Sequence, residues 1–339
     1  MKRNTWQGKH GPLLIAEIGG NHEGDFEYAK ALTELAIGAQ VDFVKFQLYS
    51  GDTLVSKLEN PVRNKHFKKF ELSQEQYIEL AQMCEAADVG FMASVWDPAY
   101  FEWIDPYMPI YKIGSGDMTA YPVLKATAAL QKPIILSTGL STLQEVLEAV
   151  RYIQQQDELY KNPDYLSVLQ CTSMYPIPAS AAHLAVMQSY RDMTGLPVGY
   201  SDHTEGSKAL EIAVAMGAEV LEFHFTDSRE GKSFRDHKVS LTQAEVLELI
   251  EAIKVIYQLK GDALKQPLEV EGDHVVTFRR SVYPRRDLMA GTAVQAEDLI
   301  CLRPNTGIDA REFDQLIGKK LLVDVKKHQK LEYSFFAEE

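Results

Sequence analysis

Short apolar runs alternate with amphipathic segments through most of the chain. Eight runs are nearly continuous in Val, Ile, Leu or Phe, which is typical of strands buried on both faces. They are Leu13–Gly19, Val41–Leu48, Gly90–Val95, Ile110–Ser115, Pro133–Thr138, Leu166–Cys171, Pro197–Asp202 and Val220–Phe225. Apolar residues at helical spacing mark Phe26–Gly38, Gln74–Ala87, Leu143–Gln155, Ser180–Met193, Ser207–Met216 and Thr242–Leu259. Alternating strands and helices predict a parallel sheet, and eight repeats over roughly 250 residues predict a closed (β/α)8 TIM barrel of the α/β class.

The pattern changes after Leu259. A polar stretch with Gly and Pro, Lys260–Asp273, is typical of a linker. Beyond it come one short helical stretch near Ala310–Leu316 and three β-like pieces, Arg280–Val282, Leu299–Leu302 and Leu321–Val325. We therefore predict a barrel domain over 1–260, a linker over 261–277 and a small, mostly-β domain over 278–339. About 60 residues make a thin core, so we expect this domain to lean on a barrel, its own or a partner's.

Polar side chains follow the apolar runs at one end only, at or just past their C-terminal residues. They are Glu17, Lys45, Gln47, Ser94, Ser115, Asp117, Ser137, Ser173, Tyr175, Ser201, His203 and His224. The active site of a (β/α)8 barrel lies at that face, so the pattern predicts an enzyme site there. For any single serine, a plain helix cap is the simpler explanation.

Two of these residues, His203 and His224, end consecutive runs with one helical segment between them. Strands joined in this way are parallel and usually adjacent, so both imidazoles would emerge at the same edge. A converging pair suits a borderline divalent metal such as zinc or manganese. The alternative is that one or both are structural histidines with ordinary hydrogen bonds.

The formal net charge of −13 disfavours nucleic acid or an anionic membrane as partner, since both need a basic surface. An anionic substrate would therefore need a local cluster of cations. Three scattered cysteines without a Cys-x-x-Cys pair are typical of reduced thiols in a cytoplasmic protein. The sequence contains no apolar run of transmembrane length, and its N-terminus lacks the apolar core of a signal peptide.

Nine strings together resemble a known family. In the barrel region they are IAEIGGNHEG (Ile15–Gly24), VKFQ (Val44–Gln47), YKIGSGD (Tyr111–Asp117), KPIILSTG (Lys132–Gly139), CTSMYP (Cys171–Pro176), VGYSDHT (Val198–Thr204) and LEFHFT (Leu221–Thr226). In the small domain they are RRSVYPRRDLMAGTAVQAEDL (Arg279–Leu299) and LRPNTGI (Leu302–Ile308). The chain resembles the N-acetylneuraminate (sialic acid) synthases and related nonulosonic acid synthases, which end in an antifreeze-like, SAF-type domain.

The resemblance implies condensation of phosphoenolpyruvate with an N-acetylmannosamine-type aldehyde, in a metal-dependent homodimer whose small domains cover the partner's barrel mouth. It implies a divalent metal on His203 and His224, with Mn²⁺ as first choice and Mg²⁺ or Co²⁺ as alternatives. Phosphoenolpyruvate contacts would come from Lys45, Ser94, Lys112, Ser115, Ser137, Ser173 and Ser201. Sugar contacts would come from Gln47, Tyr175 and Asp236, with Glu17 also near the sugar and Arg303 from the other subunit.

The chain departs from the family pattern at several positions. Asp117 stands where glutamate is common, and we assign it the proton transfers, with Glu17 as the alternative. Ser173 replaces a frequent asparagine, and Gln170 a common histidine. Ser233–Lys238 replaces a Gly-Pro-Asp-His string, which leaves the identity of the sugar open.

Three other functions remain as alternatives. In a Schiff-base aldolase, Lys45 or Lys112 would form a covalent imine, although the histidine pair argues against it. A non-catalytic carbohydrate-binding protein would need neither acid–base groups nor a metal site. A synthase that uses a sugar phosphate would need more cations near the sugar than Arg235, Lys238 and Arg303.

Overall fold

In a computed structural model, which describes residues 5–337, eight parallel strands close into a barrel. They are β1 Gly11–Glu17, β2 Phe43–Leu48, β3 Gly90–Val95, β4 Tyr111–Ile113, β5 Ile134–Ser137, β6 Leu166–Cys171, β7 Val198–Asp202 and β8 Val220–His224. Each strand pairs with the next, and β8 pairs with β1 from Leu13↔Val220 to Glu17↔His224. The predicted (β/α)8 barrel is confirmed.

Helices follow the strands in the order that the periodicity predicts. They are α1 Phe26–Gly38, α2 Gly51–Leu54, α3 Pro61–Lys69, α4 Gln74–Ala86, α5 Phe101–Ile104, α6 Tyr121–Ala128, α7 Leu143–Gln156, α8 Val186–Thr194, α9 Lys208–Ala215 and α10 Gln243–Lys260. Capping boxes at Ser73, Thr142 and Thr242 begin α4, α7 and α10, because each hydroxyl accepts the backbone N–H three residues later.

Two predictions about helices were incomplete. The predicted helix over Ser180–Met193 is a short 3-10 turn, Ala179–Ala181, followed by α8. The helices α2, α3, α5 and α6 were not predicted, because they are short and too few apolar positions repeat in them to define a period.

Alternate residues of each strand face the barrel axis, and they form layers. The bottom layer is an apolar cluster that Trp6 joins from below, with Leu13, Ile15, Phe43, Met92, Ile110, Ile135, Leu169 and Val220. Two residues further along each strand lies the layer that we call the polar layer: Glu17, Lys45, Ser94, Lys112, Ser137, Cys171, Ser201 and Glu222. Two residues further again comes the mouth layer: Gly19, Gln47, Trp96, Gly114, Gly139, Ser173, His203 and His224. The barrel interior therefore changes from apolar to charged within one step of the strand repeat.

The chain divides into two compact units, Met1–Gly261 and Asp262–Glu339. The second contains the helix α11 His274–Thr277 and two antiparallel strands, β9 Ser281–Pro284 and β10 Leu299–Leu302. A small buried cluster including Val282, Val294 and Leu316 forms its core.

Two predictions in the second unit need correction. The predicted helical stretch at Ala310–Leu316 is a 3-10 helix. The predicted strand over Leu321–Val325 does not form, because Leu321 bridges Phe336 while Val325 bridges Leu288, and two separate partners make no ladder. None of the helices in residues 5–337 is long and apolar enough to cross a membrane.

Candidate active site

The polar layer holds four buried ionisable side chains that neutralise one another. Lys45 donates a hydrogen bond to Glu17, and its ammonium lies 3.6 Å from a carboxylate oxygen of Glu222. Lys112 lies 3.2 Å from the other oxygen of Glu222. Charged groups so far from water are stable only when paired, so each carboxylate keeps a lysine charged at the barrel axis. Both lysines are therefore buried inside the barrel and are not solvated surface charges.

Burial and charge pairing shift the pKa values of these four groups in different directions. Burial raises the pKa of Glu17 despite the attraction of Lys45, and burial lowers the pKa of Lys112 despite Glu222. Burial acts against the charge of Lys45 as well, but Glu17 and Glu222 outweigh it and raise the pKa. For Glu222, the two lysines outweigh burial and hold the pKa well below its usual range.

The predicted serines lie beside these charges. Lys112 donates to Ser137 Oγ at 2.6 Å, and Ser201 donates to Glu222 at 2.8 Å. On the neighbouring loop, the backbone N–H of Gly139 donates to Ser115 Oγ at 2.9 Å. A side chain at Gly139 would collide with Ser173 Oγ and Ser115 Oγ, so the glycine brings these two hydroxyls together. Such hydroxyls and ammonium groups suit an anionic ligand.

The two histidines face each other above the polar layer, with ring centroids 5.3 Å apart. His203 Nδ1 lies 2.7 Å from the carbonyl oxygen of Thr172, which can only accept, so Nδ1 carries the proton and Nε2 keeps a lone pair. His224 Nδ1 is buried and has no hydrogen-bond partner within the described residues. Burial lowers the pKa of His224 well below its usual value, which keeps the ring neutral as a metal ligand must be.

These features fit a divalent metal, because a fixed tautomer on one ring and an orphaned nitrogen on the other leave lone pairs available. No cluster of three or more His, Cys, Asp or Glu side chains suited to a metal occurs in residues 5–337. The two imidazoles would therefore share an ion with substrate oxygens and water.

Asp202 fixes the loop that carries His203. Its buried carboxylate accepts hydrogen bonds from the Tyr200 hydroxyl and from the backbone N–H and hydroxyl of Thr204. The carboxylate beside His203 therefore serves to orient the end of β7.

Asp117 ends a 3-10 turn, Ser115–Asp117, directly after β4. Burial raises its pKa to about 6, against the lowering effect of Lys112. A carboxyl group with a pKa near neutrality is suited to proton transfer in either direction.

Two of the predicted sugar contacts within the barrel unit, Tyr175 and Asp236, lie beside the histidines. The Tyr175 ring lies 4.0 Å from that of His203, and the Arg235 guanidinium lies 4.7 Å above Tyr175. Arg235 also pairs with Asp236, whose second oxygen lies 4.0 Å from His224 Nδ1. Gln47 donates to Glu17 at 2.8 Å.

Arg303 belongs to the second unit, where its guanidinium lies 5.0 Å from the centre of the Phe278 ring.

Glu222 and Trp96 face the barrel axis in the polar layer and the mouth layer, and the sequence predictions included neither. The alternation of inward positions would have found both, since Glu222 precedes His224 by two residues and Trp96 follows Ser94 by two.

Comparison with known proteins agrees with this geometry. The model of the NeuB family matches residues 32–265, and the model of the SAF domain matches residues 279–337. The N,N'-diacetyllegionaminic acid synthase of Legionella pneumophila is 36% identical and covers 92% of this chain and 91% of its own. A synthase of the same name from Campylobacter jejuni is 34% identical, over 91% of this chain and 95% of its own.

Among solved structures, N-acetylneuraminic acid (sialic acid) synthetase from Leptospira borgpetersenii superposes with a TM-score of 0.71 at 28% identity, covering 78% of this chain and 90% of that one. The family models and the sequence identity extend over both units. This chain belongs to the NeuB family and ends in a SAF domain.

Proposed function

We propose that this enzyme condenses phosphoenolpyruvate with an N-acetylmannosamine-type aldehyde to give a nine-carbon 2-keto sugar acid and inorganic phosphate. The observation that carries the proposal is the polar layer, in which Lys45 and Lys112 lie beneath the histidine pair. Phosphoenolpyruvate has two anionic groups, a phosphate and a carboxylate. The two buried lysines offer one ammonium group for each. The relatives, named as synthases of such sugar acids, support the same reaction class.

The reaction joins C3 of phosphoenolpyruvate to the aldehyde carbon, and the aldehyde oxygen becomes a hydroxyl. Water then adds to C2. The bond between C2 and the oxygen of the phosphate ester breaks, and inorganic phosphate leaves as the keto group forms. A divalent metal held by His203 and His224, with Mn²⁺ as first choice, would act as a Lewis acid toward the aldehyde.

The protein's own groups bind the substrate and move the protons. Lys45 and Lys112 hold the phosphate and carboxylate by charge, and the serine hydroxyls complete the cradle. Asp117 accepts a proton from the attacking water and then donates it to the leaving phosphate. Glu17 accepts from both Lys45 and Gln47, so it orients a lysine of the site as well as lying near the sugar end.

The structure favours an uncharged sugar over a sugar phosphate. In the loop after β8, Arg229 pairs with Glu245, Lys232 with Asp227 and Arg235 with Asp236. These three cations are partly exposed to water, unlike the buried Lys45 and Lys112, so solvent screens their attraction for a second anion. The preferred substrates are therefore N-acetylmannosamine and related acylated amino sugars.

We also propose a domain-swapped homodimer in the cytoplasm. Four large apolar side chains are exposed on the segments that follow strands β2, β5 and β6: Leu58, Val62, Leu140 and Met174. Leu140 also has a positive φ of 67°, an unfavourable conformation for leucine outside a functional loop. A partner's small domain seated there would cover this apolar surface. The three cysteines are unpaired, as expected of a reducing compartment.

The test is release of phosphate from phosphoenolpyruvate with a panel of hexosamines, each run with a chelator and with added Mn²⁺. We expect turnover with acylated amino sugars, loss on chelation and recovery with Mn²⁺. His203→Ala and His224→Ala should lose Mn²⁺ binding in calorimetry, whereas His10→Ala, before β1, should retain it.

Three results would contradict the proposal. Full activity after removal of metal would eliminate the metal role. Trapping of a pyruvate imine by borohydride would favour the aldolase. Sugar binding without phosphate release from any hexosamine would favour a carbohydrate-binding protein.

A further inference from the structure

Trp96 lies at the barrel mouth, across from the histidines. Its backbone N–H donates to Leu48 O at 3.0 Å, which continues the pairing of β3 with β2 beyond the end of both strands. Trp96 therefore keeps the inward orientation of Ser94, two residues earlier. In a ring of eight strands, β3 lies opposite β7, which leads into His203.

Aromatic neighbours fix the indole ring. Trp96 stacks on Tyr49, with centroids 5.1 Å apart and planes at 25°. Phe67 of α3 packs edge-on against both rings. A ring packed on two sides has little rotamer freedom, so the indole N–H has a defined direction.

The indole nitrogen of Trp96 borders a gap beside Gly114. A Cβ atom on Gly114 would lie 3.6 Å from Trp96 Nε1, 3.8 Å from Asp117 Oδ2 and 3.9 Å from Ser94 Oγ. Three polar atoms from two chain segments, the end of β3 and the turn after β4, thus surround one point. Gly114 has a φ of −71°, which any residue adopts, so the backbone does not require glycine here. The missing side chain leaves room for a ligand.

The N–H of Trp96 makes no hydrogen bond to another residue within 5–337, where the indole ring packs on Tyr49 and Phe67. An indole N–H is a donor only, and it normally finds an acceptor. The gap is flanked by Ser94 and, on the neighbouring strand, by Lys112, which pairs in register with Ser94. An anionic acceptor fits this surrounding best.

Resting on the proposed function, we infer that Trp96 is a further phosphoenolpyruvate-binding residue, whose indole N–H donates a hydrogen bond to an anionic oxygen of the substrate in the gap at Gly114. Phosphate and carboxylate oxygens offer the same chemistry at this point. The stack with Tyr49 and Phe67 holds the donor in place before the substrate arrives.

The first test compares Trp96→Phe with Trp103→Phe. Phenylalanine keeps the stack on Tyr49 but has no donor, and Trp103 lies on α5, against Tyr77 and Tyr100 and away from the mouth layer. We expect Trp96→Phe to weaken phosphoenolpyruvate binding about tenfold to hundredfold, as for loss of a hydrogen bond to a charged group. Calorimetry measures that affinity directly, and phosphate release gives the KM of each substrate. Trp103→Phe should match the parent in both.

Tryptophan fluorescence gives an independent readout. The emission of the parent and of Trp103→Phe should change on titration with phosphoenolpyruvate, and that of Trp96→Phe should not, because Trp6 lies in the bottom layer. A second variant, Gly114→Ala, places a methyl group in the gap at ordinary contact distances, so it should melt at the parent temperature yet bind phosphoenolpyruvate at least tenfold more weakly.

Unchanged phosphoenolpyruvate affinity in Trp96→Phe would overturn the inference. So would a rise confined to the KM of the sugar, which would mean that the ring contacts the other substrate. If the parent binds phosphoenolpyruvate and Trp96→Phe weakens that binding, but no hexosamine releases phosphate, the inference stands and the proposed reaction fails. Failure of the parent to bind phosphoenolpyruvate would eliminate both.

Discussion

The carboxyl group of Asp117 has a pKa of about 6, raised chiefly by burial. Asp117→Asn keeps the shape of the side chain but removes the base, so we expect kcat to fall about 10²–10⁴-fold with little change in substrate affinity. The kcat of the parent should fall as the pH drops through about 6, where the carboxylate becomes protonated. The kcat of the variant should not show this fall at low pH. A near-normal kcat would transfer the role to Glu17.

Asp117→Asn should lower kcat but raise the stability of the fold at high pH. A carboxyl pKa raised by folding costs stability above the folded pKa and costs nothing below the unfolded pKa of 3.8. Asp117→Asn should therefore stabilise the fold at pH 8, by at most about 3 kcal/mol, and this gain should disappear as the pH falls from about 6 to 4. Denaturant titrations at pH 8 and pH 4 measure both values.

Lys45 has two roles that mutation can separate. Lys45→Met should raise the KM for phosphoenolpyruvate through loss of about 2–5 kcal/mol of binding, with a smaller effect on the sugar. It also leaves Glu17 without its cation, which should destabilise the fold by about 3–5 kcal/mol. Adding Glu17→Gln should restore much of the stability and none of the phosphoenolpyruvate affinity. Equal recovery of both would show that Lys45 is only a structural partner.

At the level of residues, the sequence predicted where the polar side chains lie better than it predicted which of them contact one another. The apolar-to-polar change at strand ends predicted that Lys45, His203 and His224 lie at one end of the barrel, whereas Lys112 was expected only from the family resemblance. It could not show that Glu222 bridges the two lysines, because that contact depends on how strands far apart in sequence are registered.

At the level of elements, strands were easier to predict than short helices. A buried parallel strand is a continuous apolar run, and all eight were found within a few residues of their ends. The helices α3 and α6 lie on the surface with few buried residues, so they leave little periodic signal.

The loop between β8 and α10 carries Asp236, and helix α1 anchors it. The Tyr28 hydroxyl of α1 donates to Asp227 at 2.6 Å and accepts from Lys232 at 2.6 Å. Tyr28→Phe removes both bonds and should loosen the loop. We expect the KM for the sugar to rise about fivefold, the equivalent of one ordinary hydrogen bond, while the KM for phosphoenolpyruvate stays constant. Hydrogen exchange over 227–238 should accelerate. Unchanged exchange would show that the loop has other sufficient anchors.

For the whole molecule, the proposed exchange of small domains predicts complementation. Deleting residues from about 275 onward should leave a folded barrel with little synthase activity. His203→Ala and Arg303→Ala subunits should each be inactive, yet mixed dimers should regain partial activity, because one mouth then has an intact histidine pair and a partner's arginine. Verified heterodimers without activity would show that Arg303 serves its own barrel or none.

The polar layer carries two ammonium groups and two carboxylates, so its formal charges cancel before any substrate enters. Phosphoenolpyruvate therefore brings uncompensated negative charge into a pocket that water barely reaches, and a divalent cation brings the opposite charge. Each ligand should relieve the electrostatic cost of the other, which makes their binding thermodynamically linked. Linkage is reciprocal: Mn²⁺ should tighten phosphoenolpyruvate binding by the same factor by which phosphoenolpyruvate tightens Mn²⁺ binding. A closed cycle of four calorimetric titrations measures that factor. A value of one would mean that the two ligands bind independently and that the charge of the polar layer does not couple them.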